Sequence, residues 1–146
     1  MSPARLVTLS ACETGITDIV KGSADKFTGL PADFMLAGVP CVISSLWSVP
    51  DISKALLIER FYSNYIVEEM DIPMALQDAQ LYVRDLATKQ VTNYVEKCYK
   101  SGKWEGKSKE FIEQRRKRYI AKAEKSPDGK PSQHTYYWAA FTINGA

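Results

Sequence analysis

Two short apolar runs, Leu6–Leu9 and Val39–Trp47, constrain this chain more than any other feature. Neither shows the steady apolar–polar alternation of a strand with one wet face, so both are expected to be strands buried within a sheet. Pro40 stands near the start of the second run, where a missing amide hydrogen costs least. Between the runs lie a loop rich in Gly, Thr and Asp, through Gly22, and then a short helical stretch, Phe27–Gly38, closed by its glycine. After the loop Ser48–Asp51, a helix is expected from about Ile52 to Val67, with Leu57, Phe61 and Tyr65 recurring at spacings of four beside Ile58 and Tyr62. A second begins near Pro73, an apt first-turn residue, and carries Leu76, Ala79, Val83 and Leu86 on one face. Beyond Thr88 the pattern loosens until a highly charged helix, Ser108–Lys125, and a closing aromatic, β-branched strand, Tyr136–Ile143. Such alternation argues for an α/β fold, a mostly parallel sheet with flanking helices.

At 146 residues the chain is one domain by length, able to bury roughly 70% of the surface it exposes when unfolded. Its apolar content of 45% and charged content of 25% are those of a globular protein and argue against global disorder. No apolar run approaches the roughly 20 residues needed to span a bilayer, and the start leads directly into a strand, so neither a membrane segment nor a signal peptide is expected. The three cysteines, Cys12, Cys41 and Cys98, are scattered and lack a C-x-x-C pair. Neither a metal site nor a disulfide framework is expected, and a cytoplasmic location fits them best. No cofactor motif occurs.

The net charge of +2 conceals an asymmetry. Lys97–Lys130 holds twelve basic and five acidic residues, or +7, whereas the remainder holds seven basic and twelve acidic, or −5. We read residues 97–131 as a basic helical insertion in an acidic body. Its interspersed aromatics, Tyr99, Trp104 and Tyr119, would suit a nucleic-acid surface, but no nucleic-acid motif is present and the acidic body opposes such binding. A solvated or partner-docked helix face is the expected reading.

Chemistry is concentrated in Leu6-Val7-Thr8-Leu9-Ser10-Ala11-Cys12-Glu13-Thr14-Gly15. An apolar strand runs into Cys12, and a Gly-containing turn follows, which places the thiol at the carboxyl end of a strand, where open α/β sheets keep their sites. Gly15 allows a sharp bend, and amides around such a turn can point at a developing oxyanion. A thiol there serves as a nucleophile or as a small buried hydrophobe, and the first role requires a positioned histidine. None precedes Cys12.

The segment Leu9–Gly15 resembles the cysteine motif of the CHAT family, caspase-like peptidases often found with tetratricopeptide repeats. Further blocks resemble the family in the same order: Gly38–Asp51 its second strand and the Trp-x-Val-x-Asp loop, Glu59–Tyr62 and Ala75–Leu81 its two helices, Tyr136–Phe141 its closing strand. The resemblance implies a caspase-like α/β fold and a cysteine–histidine dyad. Cys12 would be the nucleophile on a peptide carbonyl, and its own amide would form half of the oxyanion hole. The family's histidine and its neighbouring glycine lie on an earlier strand, so residues 1–146 are expected to be a partial domain that lacks the N-terminal strands and is inactive alone.

Two other residues are candidates. The resemblance places Asp51 in a pocket for a basic substrate side chain, with Trp47 as a wall, although Pro50 replaces the first of the family's two acidic residues. The competing reading of Asp51 is a helix N-cap. His134 is the only histidine; it is either a base for Cys12 or, as in relatives that carry a non-catalytic histidine there, an entry residue of the closing strand. The function expected is a cysteine endopeptidase completed by a His-bearing segment of the same or another chain. The alternative is a non-catalytic interaction or dimerisation module with a bare sheet edge.

Overall fold

The computed structural model describes residues 4–9, 29–102 and 108–145. Three strands, β1 (Val7–Leu9), β2 (Cys41–Ser45) and β3 (Phe141–Gly145), form one sheet in the order β1-β2-β3. β1 pairs parallel to β2, with Val7 opposite Val42 and Leu9 opposite Ser44. β3 pairs antiparallel to β2, with Phe141 opposite Ser45 and Gly145 opposite Cys41. The α/β expectation holds, but a mostly parallel sheet is not confirmed: of the two pairings among the described residues, one is parallel and one antiparallel.

Helix parity explains the reversal. Between β2 and β3 lie α2 (Asp51–Tyr62, continued in π geometry over Ser63–Val67), α3 (Ile72–Asp85), α4 (Thr88–Lys100) and α5 (Lys109–Glu124). These pack as two antiparallel hairpins: Arg60 of α2 reaches Asp78 of α3, while Thr88 and Glu96 of α4 meet Ala123 and Arg116 of α5. An even number of antiparallel helices returns the chain to the end of the sheet it left. β3 must then run back along β2, and the amide of Leu46 donates to the carbonyl of Ala140 where the two strands meet, at 2.8 Å.

The core follows the periodicity seen in the sequence. Leu57 and Phe61 of α2, Ala75, Ala79 and Val83 of α3, and Ile43 of β2 are fully enclosed in one cluster. Phe61 stacks on Tyr65 and meets the edge of Tyr62. Tyr62 also donates to the Thr8 hydroxyl at 2.9 Å, tying α2 to β1. Asn64, 1% exposed, donates to Asp78 Oδ2 at 2.7 Å and to the Ala75 carbonyl at 3.3 Å. A buried amide with two partners fixes the α2–α3 hairpin, since leaving either partner unmet would be costly.

Three local expectations change. Helix α4 occupies a stretch whose pattern loosens in sequence; Val91, Tyr94, Val95 and Cys98 supply a helical stripe that intervening Lys, Thr and Asn dilute. The boundary proposed near residue 97 falls inside this helix. The aromatic run Tyr136–Trp138 is not strand: Thr135–Tyr137 forms a 3-10 turn, and β3 begins only at Phe141. Strand propensity is overridden here because the chain must turn into the sheet, and the amides of Tyr137, Trp138 and Ala139 bond back to His134 and Thr135. β1 is half-buried along its length, not enclosed on both faces.

The first helix, α1 (Leu30–Leu36), ends as its glycine implies. Gly38 has φ 92°, and the amides of Gly38 and Val39 bond back to Met35 and Phe34 in a Schellman closure. Among the described residues no helix is long and apolar enough to cross a membrane, and no cluster of metal-ligating side chains occurs.

Candidate functional site

The parallel pairing of β1 and β2 gives both strands the same carboxyl end. On β2 that end leads through Leu46–Pro50 into α2, and a cleft of about 480 Å³ opens there. Its walls are Ser48, Val49, Pro50 and Asp51 on one side, the α5 residues Phe111, Arg115, Arg118, Tyr119 and Lys122 on another, and Tyr136 of the closing turn. Every buried side-chain polar atom among the described residues has a partner.

Asp51 lies in this cleft as the first residue of α2. The N-cap position belongs to Pro50, and no side chain caps the helix, so the N-cap reading of Asp51 is corrected. A first-turn carboxylate still favours the helix through its dipole. Asp51 Oδ2 is engaged by the Arg115 guanidinium, and Oδ1 stands 3.8 Å from Lys54 Nζ. Arg115 is itself held, its Nε donating to the Tyr119 hydroxyl at 3.2 Å and its guanidinium lying over the Phe111 and Tyr119 rings. The carboxylate that could meet a basic substrate side chain is thus already met by one from α5.

Trp47 stands one step behind the cleft. Its indole nitrogen donates to the Tyr136 carbonyl at 2.9 Å, which locks the closing turn over the β2–α2 loop. Cys12 and Gly15, the expected nucleophile and turn residue, lie outside the described residues.

His134 caps the 3-10 turn: its Nδ1 accepts from the amide of Tyr136 at 3.2 Å. With that lone pair occupied, the neutral ring carries its proton on Nε2 and has no acceptor left for a thiol proton. Cys41 and Cys98 are buried free thiols, and burial pushes the Cys41 thiol above its ordinary range. Both are packing residues in this fold.

Sequence reasoning missed the α5 side of the cleft. Arg115, Arg118 and Lys122 follow one another at spacings of three and four, which places them on one helix face. That signal was available, but nothing in the sequence indicated which face would meet the β2–α2 loop.

No curated protein and no solved structure matches the chain. The family model described as the CHAT domain matches residues 1–146, the whole chain. With its α/β architecture and a cleft at the shared carboxyl end of its parallel strand pair, the chain belongs to the CHAT domain family.

Proposed function

We propose that this chain is the cysteine-bearing portion of a caspase-like cysteine endopeptidase. The observation that carries the reading is the family match over residues 1–146, which includes Cys12 and its turn. Parallel pairing of β1 with β2 supports it, because the carboxyl end of β1 and the loop that lines the cleft then lie at the same end of the sheet. Cys12 attacks the scissile carbonyl, and its backbone amide, in the turn that Gly15 permits, stabilises the oxyanion. A histidine takes the thiol proton and returns it to the leaving amine, and water then hydrolyses the thioester. His134 is spent on its turn, so the base comes from a segment outside these residues. Asp51 meets a basic substrate side chain only by exchanging Arg115 for it, and Trp47 supports that wall through Tyr136.

The test is the pH dependence of Cys12 alkylation, with and without sequence read upstream in the same frame. The histidine-completed protein should alkylate well below the ordinary thiol pKa of about 8.5 and cleave peptides, whereas Cys12→Ala should not. An ordinary profile in the longer protein would remove the peptidase reading.

One observation favours a second reading, a non-catalytic interaction module. Among the described residues β1 pairs on one edge only, and such an edge can accept a strand from another segment or a second copy. A dimer that survives dilution, together with an unreactive Cys12 in the longer protein, would support it.

A further inference from the structure

We propose that the face of α5 bordering the cleft binds an acidic peptide segment, an activity that does not require Cys12 to be reactive. Helix α5 sorts its cations into two sets. Toward α4, Arg116 donates to Glu96 at 2.7 Å; within α5 it also meets Glu113 at 3.1 Å, and Lys117 lies 3.7 Å from the same Glu113. Toward the β2–α2 loop, Arg115, Arg118 and Lys122 line the first cleft. Lys122 and Lys125 line a second cleft of about 430 Å³, which shares Lys122 with the first. Only Arg115 has a carboxylate partner on this face; Arg118, Lys122 and Lys125 have none among the described residues.

Like charges three and four residues apart destabilise a helix unless something anionic covers them. The helix dipole favours Lys122 and Lys125 near the C-terminus, but it does not account for Arg118, which is further from that end. With Arg115 held on Asp51, the charge left over in the first cleft is that of Arg118 and Lys122, so the ligand that complements the cleft in this state is anionic. Tyr136 and Tyr119 add ring surface against which aliphatic side chains can pack.

The stripe from Arg115 to Lys125 runs about 15 Å along the helix, the length of four or five residues of extended peptide. A peptide can place its carboxylates opposite the three cations that lack a carboxylate partner, Lys122 among them although its ammonium lies over the Tyr137 ring, and leave the positions near Asp51 and Asp128 neutral. A nucleic acid, charged at every nucleotide, would bring phosphates against both of those carboxylates and against a body that carries −5 outside Lys97–Lys130.

Fluorescence anisotropy with the 146-residue chain tests the proposal. The probes are a labelled peptide alternating Glu with Leu, its Gln counterpart, and an oligothymidylate of similar length. The Glu peptide should bind at least about tenfold more tightly than the Gln peptide, and Arg118→Gln with Lys122→Gln should remove most of that difference. Lys97→Gln with Lys100→Gln, an equal charge change on α4, should alter affinity less than about twofold. Circular dichroism confirms that each variant keeps its helices; Arg118→Gln alone, giving a partial loss, repeats the test if the pair does not. Equal affinity for the Glu and Gln peptides, equal loss in the α4 pair, or tighter binding of oligothymidylate would overturn the proposal.

Discussion

Gly145→Ala and Gly38→Ala form a matched pair of perturbations whose costs should differ for one structural reason. Both glycines have left-handed backbones, φ 94° and φ 92°. An L side chain in that region costs roughly 1–2 kcal/mol. At Gly38 an added Cβ meets nothing within 4 Å, so this backbone cost is the whole effect. At Gly145 the same Cβ would stand 2.1 Å from the Pro40 carbonyl oxygen and 3.1 Å from its carbon. A relaxed C–O approach is about 3.3 Å, so the end of β3 must move by about 1 Å. That displacement loosens the end of the β2–β3 ladder, where Asn144 lies opposite Val42 and Gly145 opposite Cys41, which adds about 1 kcal/mol for a hydrogen bond and about 1–2 for the crowding. The expected losses are therefore about 1–2 kcal/mol for Gly38→Ala and about 3–5 for Gly145→Ala. Urea unfolding followed by the fluorescence of the three tryptophans, Trp47 and Trp138 beside β2 and β3 among them, reads the difference. With a slope of about 2 kcal/mol per molar, the two midpoints should separate by about 1 M or more. Equal midpoints would refute the claim that β3 closes against Pro40 as tightly as described.

His134→Ala should cost about 0.5–1 kcal/mol through the lost turn cap and leave the alkylation rate of Cys12 unchanged; a fall in that rate would restore His134 as the base. Arg115→Ala should lower stability by no more than about 1 kcal/mol, because both partners of the Asp51 pair are partly exposed, and added salt should shrink the effect; a larger, salt-insensitive loss would show the pair to be structural. Hydrogen bonds from Arg84, then from Lys130, hold the Asp85 carboxyl down to about 2. A depressed carboxylate stabilises the fold above its unfolded pKa of about 4 and loses that contribution as pH falls through about 2. Asp85→Asn should flatten that part of the acid-unfolding curve, and an unaltered curve would remove Asp85 from the account. Cys41, 3% exposed with its thiol pushed up by burial, should resist iodoacetamide until urea unfolds the chain; mass spectrometry of the labelled peptides checks it.

Much of the fold was legible where burial imposes a clean period. Leu57, Phe61 and Tyr65 repeat every fourth residue, and the helix they anchor lies where that repeat places it. Leu76, Ala79, Val83 and Leu86 behave the same way, and all four are buried. Helix α4 was passed over although Val91, Val95 and Cys98 repeat at spacings of four and three, because the Lys, Thr, Asn and Glu on its other face lower the mean hydropathy of the stretch. At the candidate site, Asp51 was legible as a lone carboxylate at the start of a helix, but its occupant was not. Arg115 lies 64 residues away in sequence, and only the folding of α5 beside the β2–α2 loop brings the two charges together.

The sequence by itself determined the family, the buried strand β2, and the amphipathic helices α2 and α3. These depend on residue order and local period, which a linear reading contains. The tertiary structure decided the direction of β3, the turn made by Tyr136–Trp138, the spending of His134 on a cap, and the neutralisation of Asp51. Each is a matter of which distant surfaces meet. Helix parity returns the chain to the carboxyl end of β2, and packing then selects which charged face of α5 borders the cleft.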